Sequence, residues 1–169
     1  MTLFLGGSMN NFFKSKYFLF ILVVISISIL TIGAYNLGKV EKKKVIFTEN
    51  APKAIGPYSQ AIMYGDMLFI SGQLGINPKT NELPEDVETQ TKNAMNNLKA
   101  ILEEAGMNFD DVVQTHIFLK DIKDFQKVNE IYSKYFASDY PARATMQVAA
   151  LPKDGKVEIE MIACKNKAD

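Results

Sequence analysis

The spacing of apolar residues divides this chain into two parts that differ in kind. Residues 17–35 form a run of nineteen uncharged residues, mostly Ile, Leu, Val and Phe, with tyrosine at both ends. About twenty apolar residues suffice for a helix to cross a bilayer, and tyrosine is common at the membrane interface. The run fits an uncleaved signal anchor or a signal peptide cut near Ala34, and fits a buried core helix less well. We therefore predict a signal peptide or membrane anchor over residues 1–40, with membrane association through residues 17–35, and a separate domain over residues 41–169. The pattern names no destination compartment.

Beyond residue 40 the apolar residues follow strand periodicity in several short segments. Two apolar runs, Gln60–Tyr64 and Met67–Ser71, flank Gly65-Asp66, which is the signal of a β-hairpin with a two-residue turn. A short strand is predicted before this hairpin, and further strands after it; their ranges are 45–47, 112–119, 146–150 and 157–164.

Two segments carry apolar residues three or four apart, as a helix requires. The first covers residues 87–105, where Asp86 can cap the start and Gly106 can end the helix. The second follows Asp124 and carries an apolar stripe as far as Phe136. The order of elements predicts an α+β fold in which two helices cover one face of a mixed sheet. The other face would stay bare, and association of several copies would cover it.

The composition sharpens the functional prediction. Arg143 is the only arginine, and the other eighteen basic residues are lysine. A guanidinium can bind both oxygens of a carboxylate or phosphate, which lysine cannot do in the same way. Without residues 1–40, sixteen basic and nineteen acidic side chains remain, which argues against a nucleic-acid-binding protein. The single cysteine, Cys164, excludes an intrachain disulfide and a multi-cysteine metal site.

A few polar residues stand at positions where they could carry chemistry. Glu158 and Glu160 share one face of the last strand with Ile162, so they are exposed, paired or functional. The Gly56-Pro57 bend can present Tyr58 to a cleft or place it over the core. His116 has no partners at metal-ligand spacing, and we interpret it as a structural residue.

Several motifs together resemble the signature of the Rid family, the reactive-intermediate (imine) deaminases formerly called L-PSP endoribonucleases. The matching segments are Pro141–Pro152 followed by Val157–Met161, then Ala54–Gln60, Phe69–Gln73 and Asp124–Asn129. The resemblance covers residues 45–165 and leaves out the apolar leader, which is outside the usual family pattern.

This resemblance implies a chorismate-mutase-like α+β fold and a homotrimer in which the bare sheet faces form a central barrel. It implies three active sites between neighbouring subunits and a cytosolic or mitochondrial location by default. The implied reaction is hydrolysis of 2-iminobutanoate, 2-iminopropanoate or their enamine tautomers to 2-keto acids and ammonia. No metal and no organic cofactor is implied.

The resemblance also implies roles for individual residues. Arg143 would bind the substrate carboxylate, and Glu160 would position the attacking water. The remaining matched positions would line the substrate pocket; they are Tyr58, Ser71, Gly72, Phe118 and Thr145. Thr145 stands where many members of the family have cysteine, which removes a reactive thiol but leaves the hydrolytic chemistry possible.

Two other functions are compatible with the same residues. The older family name suggests an endoribonuclease, against which the net negative charge of residues 41–169 and the single histidine argue. A non-catalytic ligand-binding or chaperone-like trimer is the other alternative. Turnover of an imine substrate that depends on Arg143 would separate the deaminase from both.

Overall fold

A computed structural model of the protein describes residues 16–37, 42–137 and 139–165. The chain divides into two units, residues 1–41 and 42–169. In the described residues of the first unit lies the helix α1 (Lys16–Leu37). Its side chains are described at residues 18 and 20–29, and in the described part of the chain no helix is long and apolar enough to cross a membrane. The membrane or signal segment predicted over residues 17–35 is therefore not confirmed, and residues 1–15 and 38–41 lie outside the described residues.

Over residues 42–137 and 139–165 the second unit contains a six-stranded sheet and two α-helices. Its elements are β1 (Lys44–Ile46), β2 (Ala61–Tyr64), β3 (Met67–Leu74), α2 (Val87–Glu104), β4 (Val112–Leu119), α3 (Phe125–Tyr132), β5 (Ala142–Gln147) and β6 (Val157–Cys164). The predicted α+β class, and the predicted order of strands and helices in this unit, are confirmed.

The sheet has the strand order β1-β2-β3-β6-β4-β5. The β4·β5 pair is parallel and every other pair is antiparallel. A parallel pair needs a crossover connection, and α3 lies within the connection between β4 and β5. The last strand of the chain, β6, therefore lies in the middle of the sheet, between β3 and β4.

The core lies between the helices and one face of the sheet, which we call the covered face. Helix α2 contributes Leu98, Ile101 and Leu102, and β6 contributes Ile159 and Met161; none of these side chains is more than 1% exposed. Full burial of an aliphatic side chain of this size contributes about 1.5–3 kcal/mol relative to exposure. The covered face is therefore the main source of stability.

Helix α2 begins and ends where the sequence predicts. The Asp86 carboxylate accepts a hydrogen bond from the Thr89 N–H at 2.7 Å, which satisfies one of the free donors of the first turn. This bond lowers the pKa of Asp86. Gly106 adopts a φ of 70° directly after the helix, a conformation that favours glycine.

Two strands differ from their predicted ranges by more than one residue. Strand β5 begins at Ala142 and ends at Gln147, so the prediction of residues 146–150 was displaced toward the carboxyl terminus. Pairing with β4 explains the difference, because the parallel ladder runs from Gln114–Ala142 to Leu119–Gln147. Strand β3 continues three residues beyond Ser71 to Leu74, and its register with β6 shifts between Ile70 and Gln73.

The other face of the sheet, which we call the open face, is not covered by either helix. It contains a row of apolar side chains that face one another across four strands: Val45, Ile62, Phe69 and Ile162. Val45 is 54% exposed, Phe69 is 45% exposed and Met146, on the same face, is 40% exposed. A contiguous exposed apolar surface of this kind marks an interaction surface.

Candidate functional site

Two glutamates of β6 project from the open face, as the alternation of the strand requires. Phe118 of β4 lies opposite Glu158, and His116 lies opposite Glu160. The intervening β6 residues point into the core and are almost fully buried. Both acids are therefore held on a rigid central strand, but each has different neighbours.

Glu158 lies against the irregular part of β3. The register shift between β3 and β6 falls at Ser71 and Gly72, and a bulge of this kind re-aims side chains locally. A Cβ atom added at Gly72 would collide with a carboxylate oxygen of Glu158. Glycine at position 72 therefore leaves the space that the Glu158 carboxylate occupies.

The same carboxylate forms part of a small cavity of about 60 Å³. The residues that line it are Pro52, Lys53, Ile55, Tyr58, Gln60, Gly72, Gln73, Leu74, Ile76, Pro152 and Glu158. Burial, and secondly the charge of Glu160, raise the pKa of Glu158. Glu158 therefore keeps its proton to a higher pH than an ordinary glutamate does, which suits a group that donates a proton.

A buried glutamine holds the loop that forms one wall of this cavity. The Gln60 side-chain amide donates to the carbonyl oxygens of Thr48 at 3.0 Å, Ala51 at 3.2 Å and Pro52 at 2.9 Å. Its Oε1 accepts from the Thr48 N–H at 2.8 Å. We call this set of bonds the Gln60 clamp, and it fixes the segment that leads to Tyr58.

Ser71 and Tyr58 take part in the same local structure. The Ser71 hydroxyl donates to the Ser59 carbonyl at 2.8 Å, so it ties the bulge to the Tyr58 loop. The Tyr58 hydroxyl accepts from the Ile55 N–H at 3.3 Å, and the side chain is 47% exposed. Ser71 therefore supports the cavity without lining it, while Tyr58 lines it.

Glu160 does not line the cavity that Glu158, Tyr58 and Gly72 share. Its Oε1 lies 2.7 Å from Nδ1 of His116, whose Nε2 lies 2.9 Å from the side-chain nitrogen of Gln114. The sequence predicted Glu160 as the water-positioning residue, but the structure brings Glu158 to the predicted pocket residues. Sequence alternation could not separate the two, because both acids share one face of β6.

Arg143 lies on β5, at the edge of the sheet. It pairs with Thr115, whose side chain is fully buried on the covered face, so the arginine points to the helix side. Its guanidinium carbon lies 4.9 Å from the centroid of the Tyr132 ring and 5.9 Å from that of Phe125. Cation–π contacts of this length hold a guanidinium in place while leaving its edge free to donate hydrogen bonds.

A groove of about 560 Å³ opens beside this arginine. The residues that line it are Gln126, Asn129, Glu130, Tyr132, Ser133, Tyr140, Pro141 and Arg143. The Tyr132 hydroxyl donates to the Thr115 hydroxyl oxygen at 3.1 Å, and burial raises the pKa of this tyrosine. The sequence placed Tyr132 in the apolar stripe of a helix, and nothing in that pattern indicated its contact with Arg143.

The predicted site residues therefore fall into two groups, which we call the arginine half-site and the glutamate half-site. The arginine half-site contains Arg143 and Thr145, which share the covered face of β5. The glutamate half-site contains Tyr58, Ser71, Gly72, Phe118 and Glu158. Within the described residues, Thr145 Oγ1 is buried and has no hydrogen-bond partner.

The two half-sites of one chain face away from each other. Thr115 pairs with Arg143 and Phe118 pairs with Glu158, and residues three apart on a strand point to opposite faces. Neither the groove at Arg143 nor the cavity at Glu158 contains residues of the other half-site. In the part of the chain that is described, no group of three His, Cys, Asp or Glu side chains could hold a metal ion.

Comparisons with known proteins find one family and several similar proteins. Residues 48–165 match the family described as Endoribonuclease L-PSP. A RutC family protein of Saccharolobus solfataricus is 54% identical over 125 residues, which cover 73% of this chain and 99% of that protein. The 2-iminobutanoate/2-iminopropanoate deaminase of Escherichia coli K12 is 49% identical over 125 residues, which cover 72% of this chain and 98% of that protein.

A solved structure, that of E. coli TdcF with bound serine, is similar to the described fold. It has a TM-score of 0.71 and 44% identity, and the match covers 73% of this chain and 99% of TdcF. On the extent of the family match and the identity to these relatives, this chain belongs to the Endoribonuclease L-PSP family, the Rid family that its motifs resemble.

Proposed function

We propose that this protein hydrolyses small 2-imino acids, with 2-iminobutanoate and 2-iminopropanoate as substrates, to 2-keto acids and ammonia. A relative that is 49% identical over nearly its whole length bears the name of this deaminase. The observation that carries the proposal is the chain's single arginine, which is held over Tyr132 at a groove of about 560 Å³.

Arg143 binds the substrate carboxylate through two parallel hydrogen bonds. The contact with Tyr132 fixes the plane of the guanidinium before the substrate arrives, so little rotational freedom remains to be lost on binding. A lysine at this position would supply the charge without the two-oxygen geometry.

Glu158 transfers the proton. In its protonated form it donates a proton to the imine nitrogen, or to the carbon of the enamine tautomer, and so makes the C=N carbon more electrophilic. As a carboxylate it accepts a proton from the water that attacks this carbon, and the resulting carbinolamine releases ammonia to leave the keto acid. Because burial raises the pKa of Glu158, the carboxyl keeps its proton to a higher pH than an ordinary glutamate does, which suits the donating step.

The active site is completed by a second copy of the chain. The Arg143 and Glu158 side chains of one chain point to opposite faces of the sheet, so they cannot contact one small substrate together. A homotrimer that joins the arginine half-site of one subunit to the glutamate half-site of the next forms three identical sites. The same assembly covers the exposed apolar row of the open face.

The first test is the Arg143→Lys variant. We expect kcat/KM for 2-iminobutanoate, generated in the assay by a threonine dehydratase, to fall by roughly 100-fold or more, as for the loss of a bidentate charged bond. Lys99→Ala is the matched control, because Lys99 is an exposed cation that lines neither half-site. Wild-type activity in Arg143→Lys would contradict the proposal.

The second test mixes two inactive variants, Arg143→Lys and Glu158→Gln. If each site takes one residue from each of two subunits, co-refolded trimers regain roughly a quarter of wild-type activity, because random association gives that share of intact sites. If both residues acted within one chain, mixing would restore nothing.

The family's older name provides the alternative reaction for the same assays. RNA cleavage that disappears in Arg143→Lys, in a protein without imine turnover, would identify an endoribonuclease instead. A stable trimer with neither activity would identify a binding protein.

A further inference from the structure

A chain of three polar side chains on the open face has no part in the mechanism above. Gln114 and His116 lie on β4, and Glu160 lies opposite His116 on β6. The distances are 2.9 Å from Gln114 Nε2 to His116 Nε2 and 2.7 Å from His116 Nδ1 to Glu160 Oε1. The exposed fractions of the His116 and Glu160 side chains are 28% and 41%.

The two contacts of His116 assign its ring nitrogens. An ionised carboxylate only accepts hydrogen bonds, so Nδ1 carries a proton and donates it to Glu160. The amide nitrogen of Gln114 only donates, so Nε2 of the ring is the acceptor. This arrangement corresponds to a neutral imidazole bound to a negatively charged Glu160, which leaves the carboxylate charge in place and restricts its position.

That restricted charge lies next to Glu158. The two glutamates are two residues apart on the same face of β6, a spacing of about 7 Å along a strand. The charge of Glu160 is one of the two causes that raise the pKa of Glu158, after burial. Glu160 therefore influences the pKa of Glu158 through its charge, although it does not line the cavity.

Few other charged groups face this pair. Strand β3 contributes no charged residue, and Arg143 of β5 points to the covered face. Lys53 and Tyr58 line the Glu158 cavity, but Lys53 is 71% exposed and pairs with Glu49 at 3.2 Å. Among the described residues, Glu160 with its partner His116 is thus the charged neighbour that is held rigidly on the strand of Glu158.

We infer that His116 and Glu160 are positioning residues: His116 holds the Glu160 carboxylate beside Glu158, and this fixed second charge sets the pH range in which Glu158 exchanges its proton with the substrate. The inference rests on the proposed role of Glu158.

The experiment measures the pH midpoint of the Glu158 titration by NMR and, separately, the pH midpoint of catalysis. The carboxyl carbon of Glu158 is titrated by ¹³C NMR in the full-length protein, assigned with Glu158→Gln, and kcat/KM for 2-iminobutanoate is measured over the same pH range. In Glu160→Gln we expect both midpoints to fall by roughly 0.5–1 pH unit, the size of a repulsion between charges 7 Å apart at a partly solvated site.

Two further variants separate positioning from a merely structural role. Glu160→Asp keeps the charge, and its midpoint should stay closer to that of the wild type than the midpoint of Glu160→Gln does. His116→Phe frees Glu160 to turn toward solvent, so the midpoint should fall part of the way. A structural role would instead lower kcat/KM equally at every pH and leave the midpoints unchanged.

The possible failures are distinguishable. An NMR midpoint of Glu158 that is the same in Glu160→Gln and the wild type would overturn the inference. A midpoint that moves in a protein without imine turnover would support the coupling and overturn the proposed function alone.

Discussion

The two faces of the sheet differ in burial and in the kind of side chain they carry. On the covered face, Ile159, Met161 and Thr115 are at most 1% exposed. On the open face, the neighbours of these residues are Glu158, Glu160 and His116, which are only partly buried. Along β4 and β6, burial is concentrated on the covered face and the ionisable side chains lie on the open face, because a charge is tolerated only where water or a partner can reach it. Strand β6 serves both faces at once.

The largest expected effect is a loss of stability when a buried side chain of the covered face is shortened. Leu98→Ala removes a fully buried side chain and should lower the free energy of unfolding by about 2–5 kcal/mol. Urea denaturation followed by circular dichroism measures this loss. Leu98→Met, which conserves volume, should cost less than about 1.5 kcal/mol; equal costs in both variants would mean that the core does not lie here.

A charge on the open face should break assembly and leave the fold intact. Phe69→Asp places a carboxylate in the exposed apolar row, where its burial between subunits would be unfavourable. Sedimentation should show a monomer with a native circular-dichroism spectrum and no imine turnover. Ile122→Asp is the control, since Ile122 is similarly exposed but lies outside the sheet. A trimer in Phe69→Asp would exclude the open face as the interface.

A methyl group added at the β3 bulge tests whether the position of the Glu158 carboxylate matters for activity. Gly72→Ala should displace the Glu158 carboxylate, which occupies the space of the new Cβ atom. We expect kcat/KM to fall by roughly tenfold or more, the loss for a misplaced catalytic group. Gly56→Ala is the comparison, because its Cβ would meet only the Tyr58 ring at 3.5 Å. Equal activity in both variants would show that the position of Glu158 is unimportant.

The smallest expected effect is a pH-dependent difference in the free energy of unfolding between the wild type and Glu158→Gln. The pKa of Glu158 is raised from 4.5 in the folded protein, so its contribution to stability is present below pH 4.5 and is lost as the pH rises through the folded value. Glu158→Gln should therefore be more stable than the wild type at neutral pH, by less than about 1 kcal/mol because the group is only half buried. The difference should vanish below the ordinary pKa of glutamate. Thermal unfolding of the two proteins at pH 4 and pH 7 measures these differences. A Glu158→Gln variant that is less stable than the wild type at pH 7 would contradict burial as the cause of the raised pKa.

Periodicity predicted much of this fold, because burial on one face imposes a repeat that can be counted. The helix at residues 87–104 and the strands at 112–119 and 157–164 follow from that repeat and from the capping residue Asp86. Strand β5 was misplaced because its pairing with β4 depends on a distant segment. Val113 is 46% exposed because the ladder shifts between Val112 and Gln114, and a local shift of this kind cannot be read from periodicity.

The site was less predictable than the fold. Arg143 was recognisable as the only arginine, but its contact with Tyr132 required the packing of α3 on β5. The choice between Glu158 and Glu160 depended on the bulge at Gly72, and a local register shift leaves no periodic signal. His116 had no partner in the sequence, since Glu160 is 44 positions away along the chain.

The Gln60 clamp has a consequence for how a ligand enters the cavity. Four hydrogen bonds from one buried amide hold the segment before Tyr58, so the wall of the cavity is finished before any ligand arrives. A ligand that enters this cavity needs no rearrangement of that segment, and a preformed site loses less conformational freedom on binding. For the short-lived imine proposed above as the substrate, no movement of this wall is needed before binding.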